Sequence, residues 1–225
     1  MGSNNRGLGE HHHHEPGDPA DRLDPKKRSL GAAERNEERR AIWHRIVTKF
    51  DARHYVFIDE SGANITLVPR YGRAPKGDRC PGSVPRNYHE NLTLFASLSL
   101  DGLTSAMLLD GAADRVAFEV YLREILVPTL TPGQIVILDN LAVHKQRALR
   151  RLIHAAGCRV LFLLSYSPDF NPIELAFAEI KAYLRRMAAR TREGLETEIG
   201  RAIDRVTPQH AINYFRHCGY TSNAQ

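Results

Sequence analysis

The sequence predicts an α/β fold, a mixed sheet with helices packed over its faces. Two uninterrupted apolar runs of strand length, QIVILDN at 134–140 and CRVLFLL at 158–164, alternate with helical segments, as buried strands do. Ahead of them, NLTLFASLSL at 91–100 and LTSAMLL at 103–109 flank Asp101-Gly102, a hairpin signal. The resulting order is strand, hairpin, helix, strand, helix, strand, helix, with no internal repeat.

In chain order, residues 1–27 read as a disordered tail, rich in Gly, Pro, Asn and Asp and without apolar periodicity. The run His11–His14 reads as a tag or an inert tract rather than a metal site. Residues 28–54 read as a linker helix, capped by Ser29 and running to about Phe50. Ala41, Ile42, His44, Ile46 and Phe50 form its apolar stripe. The core domain is expected over 55–225. It opens on HYVFIDE (54–60), a short β-branched and aromatic run ending on acids, and the hairpin follows. Residues 114–127 place Val116, Val120, Ile125 and Leu126 at helical spacing until Pro128 stops them. KQRALRRLIHAAG (145–157) is a basic amphipathic helix ended by Gly157. A long helix follows from Pro172 to about Ala189, and a helical pair fills 191–217.

Composition bounds the function. The chain has 225 residues, 42% hydrophobic and 25% charged, which is ordinary globular usage and excludes wholesale disorder. The longest apolar run, VLFLL, is far short of the ~18 residues of a membrane span, so no membrane partner is expected. Three dispersed cysteines without a CxxC pair argue for a reducing, cytosolic setting rather than a disulfide scaffold. A net charge of +5 permits a polyanionic partner without requiring one.

Chemistry is carried by three acids. Asp59 and Asp139 stand at the exit ends of the two most apolar strands, and ligands of open α/β sheets gather at the carboxyl ends of strands. A charge directly after a buried run costs desolvation unless it meets water, a partner or a metal. Glu174 lies at the third position of the helix begun by Asn171-Pro172. There the ordinary explanation is strong, because Asn-x-x-Glu is a capping-box variant. Three carboxylates suit a hard divalent cation such as Mg²⁺, and paired ions serve phosphoryl transfer. Neither a GxSxG elbow around Ser61 nor a Cys-His motif offers a competing nucleophile.

FIDESG (57–62), VILDNLAVHK (136–145) and YSPDFNPIE (166–174) resemble the catalytic blocks of mariner-like transposases and their bacterial insertion-sequence relatives, members of the DDE superfamily. The 34 residues between Asp139 and Glu174 are the interval typical of that group, and RYGRAPKG (70–77) and FRHCGY (215–220) resemble its bacterial branch. The resemblance implies an RNase H-like fold. It implies that Asp59, Asp139 and Glu174 bind metal, two Mg²⁺ or Mn²⁺ ions. Hydrolysis at the ends of a mobile element would free a 3′-hydroxyl, which attacks target DNA at TA without a covalent protein intermediate. It further implies a homodimer on DNA in a bacterial cytoplasm, associated with the nucleoid when bound. Family members usually carry a helix-turn-helix domain ahead of the core, and none precedes these blocks here. A helix-turn-helix partner from an upstream frame is therefore expected. Leu164-Ser165 replaces two prolines common in the family, and Phe177 stands where Trp is frequent.

Two basic runs without an acid, 145–159 and 181–192, and the basic loop at 70–79 supply the candidate DNA contacts: Arg73, Lys76, Lys145, Lys181, Arg185 and Arg186. Such runs are commonly just solvated helix faces. His144 reads as a loop histidine that supports the site at most. The expected function is a transposase catalytic core. Its rivals are a catalytically silent fragment that binds DNA non-specifically or regulates a transposase, and a stand-alone metal-dependent nuclease.

Overall fold

A computed structural model describes residues 34–69, 71–85, 91–139 and 147–221. The expected 1–27 tail, the Ser29 cap and residues Asn140, His144 and Lys145 lie outside these. Five strands form one mixed sheet: β1 (Tyr55–Ala63), β2 (Leu92–Ser99), β3 (Gly102–Asp110), β4 (Ile135–Leu138) and β5 (Arg159–Phe162). Their spatial order is β3-β2-β1-β4-β5. The first three strands form an antiparallel meander, and β4 and β5 add in parallel to β1. The helices are α1 (Glu37–Val47), α2 (Arg115–Val120), α3 (Arg147–Ala155), α4 (Pro172–Met187), α5 (Arg192–Asp204) and α6 (Pro208–His217).

The period-2 alternation of the two central strands divides the core. Tyr55 and Phe57 of β1, with Ile135 and Ile137 of β4, join one apolar cluster with residues of α1, α4, α5 and α6. Val56, Ile58, Val136 and Leu138 join the other, with residues of α2 and α3. Phe57 meets Tyr220 edge-to-face at 5.0 Å between ring centroids, so the C-terminal end packs on the middle of the sheet. Gly102 turns the β2–β3 hairpin with φ 113°, and a Cβ there would lie 3.0 Å from the Val206 carbonyl oxygen. Glycine is required on both counts.

Several elements differ from expectation for identifiable reasons. Within the described residues α1 begins at Glu37, and Asn36 caps it by accepting the Arg39 N–H at 2.8 Å. Its buried face is Arg40, Trp43 and Val47, whereas Ile42 and Ile46 are 41% and 40% exposed. Arg40 displaces the expected stripe because its apolar stem packs while its guanidinium finds partners. In the segment after Asp114, Phe118, Tyr121, Leu122 and Leu126 are buried, and Val116 and Val120 are exposed. The helix widens to a π-turn over Tyr121–Leu126, which shifts the periodicity. β2 is buried on both faces although its sequence alternates, because Leu92, Leu94, Ala96 and Leu98 join the first apolar cluster and Phe95 joins the second. β5, expected to be fully buried, is an edge strand with Arg159 exposed and Leu161 and Phe162 half-covered.

Arg40 ties α1 to the segment leading into α4. Its guanidinium donates to Ser167 Oγ at 2.8 Å and to both Asp169 carboxylate oxygens, at 3.2 and 2.5 Å. It also stacks 3.9 Å over the Phe170 ring. Partial burial works to raise the Asp169 pKa, but the hydrogen bond and charge of Arg40, with Arg35 nearby, hold it below the usual carboxylate range. Arg40→Met keeps the apolar stem and removes this fork, so urea unfolding should show a loss of about 2 kcal/mol, the scale of charged hydrogen bonds. A folded-state pKa below the unfolded one stabilises at neutral pH, and that contribution disappears as pH falls through the folded value. The stability gap between wild type and Asp169→Asn should therefore be widest near neutrality and close as acid is added.

Candidate active site

The alternation that fills the core also aims the acids. In β1 the series Tyr55, Phe57 continues to Asp59, and in β4 the series Ile135, Ile137 continues to Asp139. Both acids thus fall on the face covered by α4. The parallel register pairs Phe57 with Ile137, and two further residues bring position 59 level with position 139. The third acid comes from the first turn of α4, whose buried stripe Ile173, Ala176, Phe177, Ile180 and Leu184 seats the helix on the same cluster. Pro172 at the first helical position starts it. Glu174, off that stripe, is exposed.

Asp59, Asp139 and Glu174 line one cavity of about 310 Å³, with Leu163, Leu164, Ser165, Tyr166, Ser167, Pro168 and Asn171 completing its wall. The triad read from the sequence is brought together. Burial pushes the Asp59 carboxyl up to about 7, and the negative charges of Glu60, Glu174 and Asp139 add to the rise, while the Glu60 N–H opposes it. Such a group gains most from a nearby cation. The lining acids offer hard oxygen donors, with no cysteine or histidine among the described lining residues. That donor set fits Mg²⁺ or Mn²⁺ rather than a soft metal. Among the described residues no three or more Asp, Glu, His or Cys side chains could hold a metal ion as they stand. The acids would hold one side of an ion, leaving the rest of its shell to water and substrate, as Mg²⁺ usually requires.

One site residue was read from the sequence in the wrong role. Asn171 is the N-cap of α4 by position, but its side chain makes no capping hydrogen bond. It is 4% exposed and its Nδ2 donates to Asp59 Oδ2 at 2.8 Å. The capping box is therefore not formed, and Glu174 is held through its backbone N–H to the Asn171 carbonyl at 3.2 Å. Nothing in the local pattern distinguishes the two roles, because the partner is 112 residues away.

The candidate DNA contacts are dispersed. Arg73 and Lys76 lie exposed in the irregular stretch after β1, and Arg185 and Arg186 lie on the last turn of α4. Lys181 lines a separate shallow hollow with Ser61, Gly62 and Leu94. None of these five lines the acid cavity. Two neighbours in the same basic run have structural work. Arg190 donates to the Ile65 carbonyl at 3.1 Å, and Arg192 pairs with Asp110 at 2.6 Å.

Comparison with known proteins bears on this geometry. None of the curated proteins compared with the chain matches it. The fold matches the Mos1 transposase paired-end complex with left transposon end, with a TM-score of 0.69 at 15% identity, over 89% of this chain and 65% of that one. It matches the Mos1 mariner paired end complex with Mn equally well, with a TM-score of 0.69 at 16% identity, over 88% and 64%. The chain thus spans just under two-thirds of the length of these relatives. Against the catalytic domain of Mos1 mariner transposase the TM-score is 0.57 at 18% identity, over 87% of this chain and 91% of that one. The five-stranded mixed sheet with its covering helices is therefore RNase H-like, as the sequence implied. The family model for DDE superfamily endonucleases matches residues 54–196, a span that takes in Asp59, Asp139 and Glu174 and all five strands of the sheet. The chain belongs to the DDE superfamily of endonucleases.

Proposed function

We propose that this chain is a transposase catalytic core that cleaves DNA strands at the ends of a mobile element and joins them to target DNA. The observation that carries this reading is the convergence on one cavity of Asp59, which lies in the middle of β1 rather than at its exit end, Asp139, just past the end of β4, and Glu174. Asp59 and Asp139 would hold divalent cations from the sheet side, and Glu174 would complete the second site from α4. Bound there, two Mg²⁺ or Mn²⁺ ions would activate the attacking oxygen and neutralise the leaving one. The matched Mos1 structures include complexes with Mg, with Mn and with a transposon end, which supports both the cation class and the substrate class. We further propose that residues 28–54 link this core to whatever precedes it. A homodimer on DNA, a helix-turn-helix partner and a bacterial cytoplasmic location belong to the same proposal. Among the described residues no helix is long and apolar enough to cross a membrane.

The silent-fragment and stand-alone nuclease readings make different predictions. Incubation with precut or nicked element-end DNA and Mn²⁺ should give strand-transfer products. Cleavage without joining would favour the nuclease, and binding without either would favour the silent fragment.

Glu174 is exposed and makes no cap, so Glu174→Gln should change the unfolding free energy by less than about 0.5 kcal/mol, as surface substitutions do. The same variant should lose strand cleavage in Mg²⁺. Near wild-type cleavage by Glu174→Gln would remove it from the triad.

DNA affinity is expected to come from phosphates. Reversing Arg185 and Arg186 to Glu should weaken all duplexes alike. The slope of log affinity against log salt should become shallower by about 2, since each phosphate contact contributes ~0.9. A loss confined to one sequence would contradict this.

A further inference from the structure

Asp59 is held from two sides. Its Oδ1 accepts the Glu60 N–H at 2.8 Å, and its Oδ2 accepts Asn171 Nδ2 at 2.8 Å. Each carboxylate oxygen has about two acceptor sites, so one on each remains for a cation. A carboxylate hydrogen-bonded at both oxygens cannot rotate freely about its terminal bond. Its remaining lone pairs therefore point in fixed directions.

The side chain that supplies the second bond is itself immobilised. The Asn171 N–H donates to the Pro168 carbonyl at 2.9 Å, and the Asn171 carbonyl accepts the Glu174 N–H at 3.2 Å. Pro172 follows directly, which restricts the backbone further. The amide forgoes the cap that its position offers, at a cost in helix stability. Its other end is more unusual still. Asn171 Oδ1 is fully buried in the cavity wall and has no hydrogen-bond partner. An orphaned buried carbonyl is costly, and native structures retain one where a ligand or water completes it.

We propose that Asn171 is a positioning residue for the metal site. Its Nδ2 fixes the ligating orientation of Asp59, the carboxylate that holds the cation. Supporting groups of this kind orient ligands, and removing one typically costs 10- to 100-fold in metal affinity. The inference rests on the reading of the acids as metal ligands. It goes beyond that reading by giving a non-acidic residue a share in affinity.

The test is calorimetric titration of Mn²⁺ into wild type, Asp139→Asn, Asn171→Ala and Asn171→Ser, with a thermal melt of each without metal. Ser is among the best N-caps, so Asn171→Ser should restore the forgone cap and melt at or above wild type. Both Asn171 variants should bind Mn²⁺ about 10- to 100-fold more weakly than wild type. In cleavage assays their half-saturating Mn²⁺ should rise by the same factor, with activity largely recovered at high Mn²⁺. A purely structural role would move the melt and leave the Mn²⁺ affinity alone, and wild-type affinity in either folded variant overturns the proposal. If Asp139→Asn loses Mn²⁺ while the Asn171 variants keep it, only the role of Asn171 falls. If Asp139→Asn binds as wild type does, the metal reading fails and this inference fails with it.

Discussion

The Asp59 carboxylate sits where the apolar middle of the sheet opens into the cavity, and two N–H donors, one from Glu60 and one from Asn171, reach it there. Burial and like charge work against its ionisation, and these donors favour it. Much of the surrounding structure follows from this conflict. β1 must run beside β4 so that Asp139, just past the end of β4, can share the cavity, and α4 must begin close enough for an amide to touch Asp59. The 3₁₀ turn Pro168–Phe170 before α4 must then be fixed, because Asn171 leaves it directly.

That fixing is supplied from outside the segment matched by the family model. Arg40 on α1 grips Ser167 and Asp169 and lies over Phe170. Tyr220, beyond α6, donates its hydroxyl to the Phe170 carbonyl at 2.7 Å. Each partner reaches a different part of the same short turn. A buried guanidinium is stabilising only when its donors are met, and here an exposed-edge carboxylate and a buried hydroxyl meet them. Local packing at the turn and chemistry at the cavity are therefore one problem rather than two.

How much of this was legible from the sequence depends on the range of the interactions. Asp59 and Asp139 could be placed because apolar runs reveal strands, and period-2 alternation carries the face of Phe57 and Ile137 to the next odd position. The α4 stripe was readable for the same kind of reason, since Ile173, Phe177, Ile180 and Leu184 all pack as their spacing implies. Arg40 was not readable. An arginine counts as polar in any periodicity, and only the distant Asp169 and Phe170 make its burial favourable, leaving Ile42 and Ile46 outside. Asn171 was assigned a local cap because local chemistry fully accounts for an Asn before a Pro at a helix start. A contact across the fold took the side chain instead. The edge position of β5 was equally hidden, since a run such as RVLF reports hydrophobicity but not how many neighbours the strand will have.

The backbone itself nearly closes on the turn side of the molecule. The Ala52 N–H donates to the Thr221 carbonyl at 3.2 Å, and Trp43 Nε1 reaches the Tyr220 hydroxyl at 3.4 Å. α1 and the residues after α6 are thus neighbours in space although they bound opposite ends of the catalytic fold. For protein engineering this geometry makes α1 and the segment after α6 one unit, to be kept or removed together. It disfavours excision at the limits of the family match. A fragment cut at 54 and 196 would keep every acid and lose both clasps on the turn that carries Asn171.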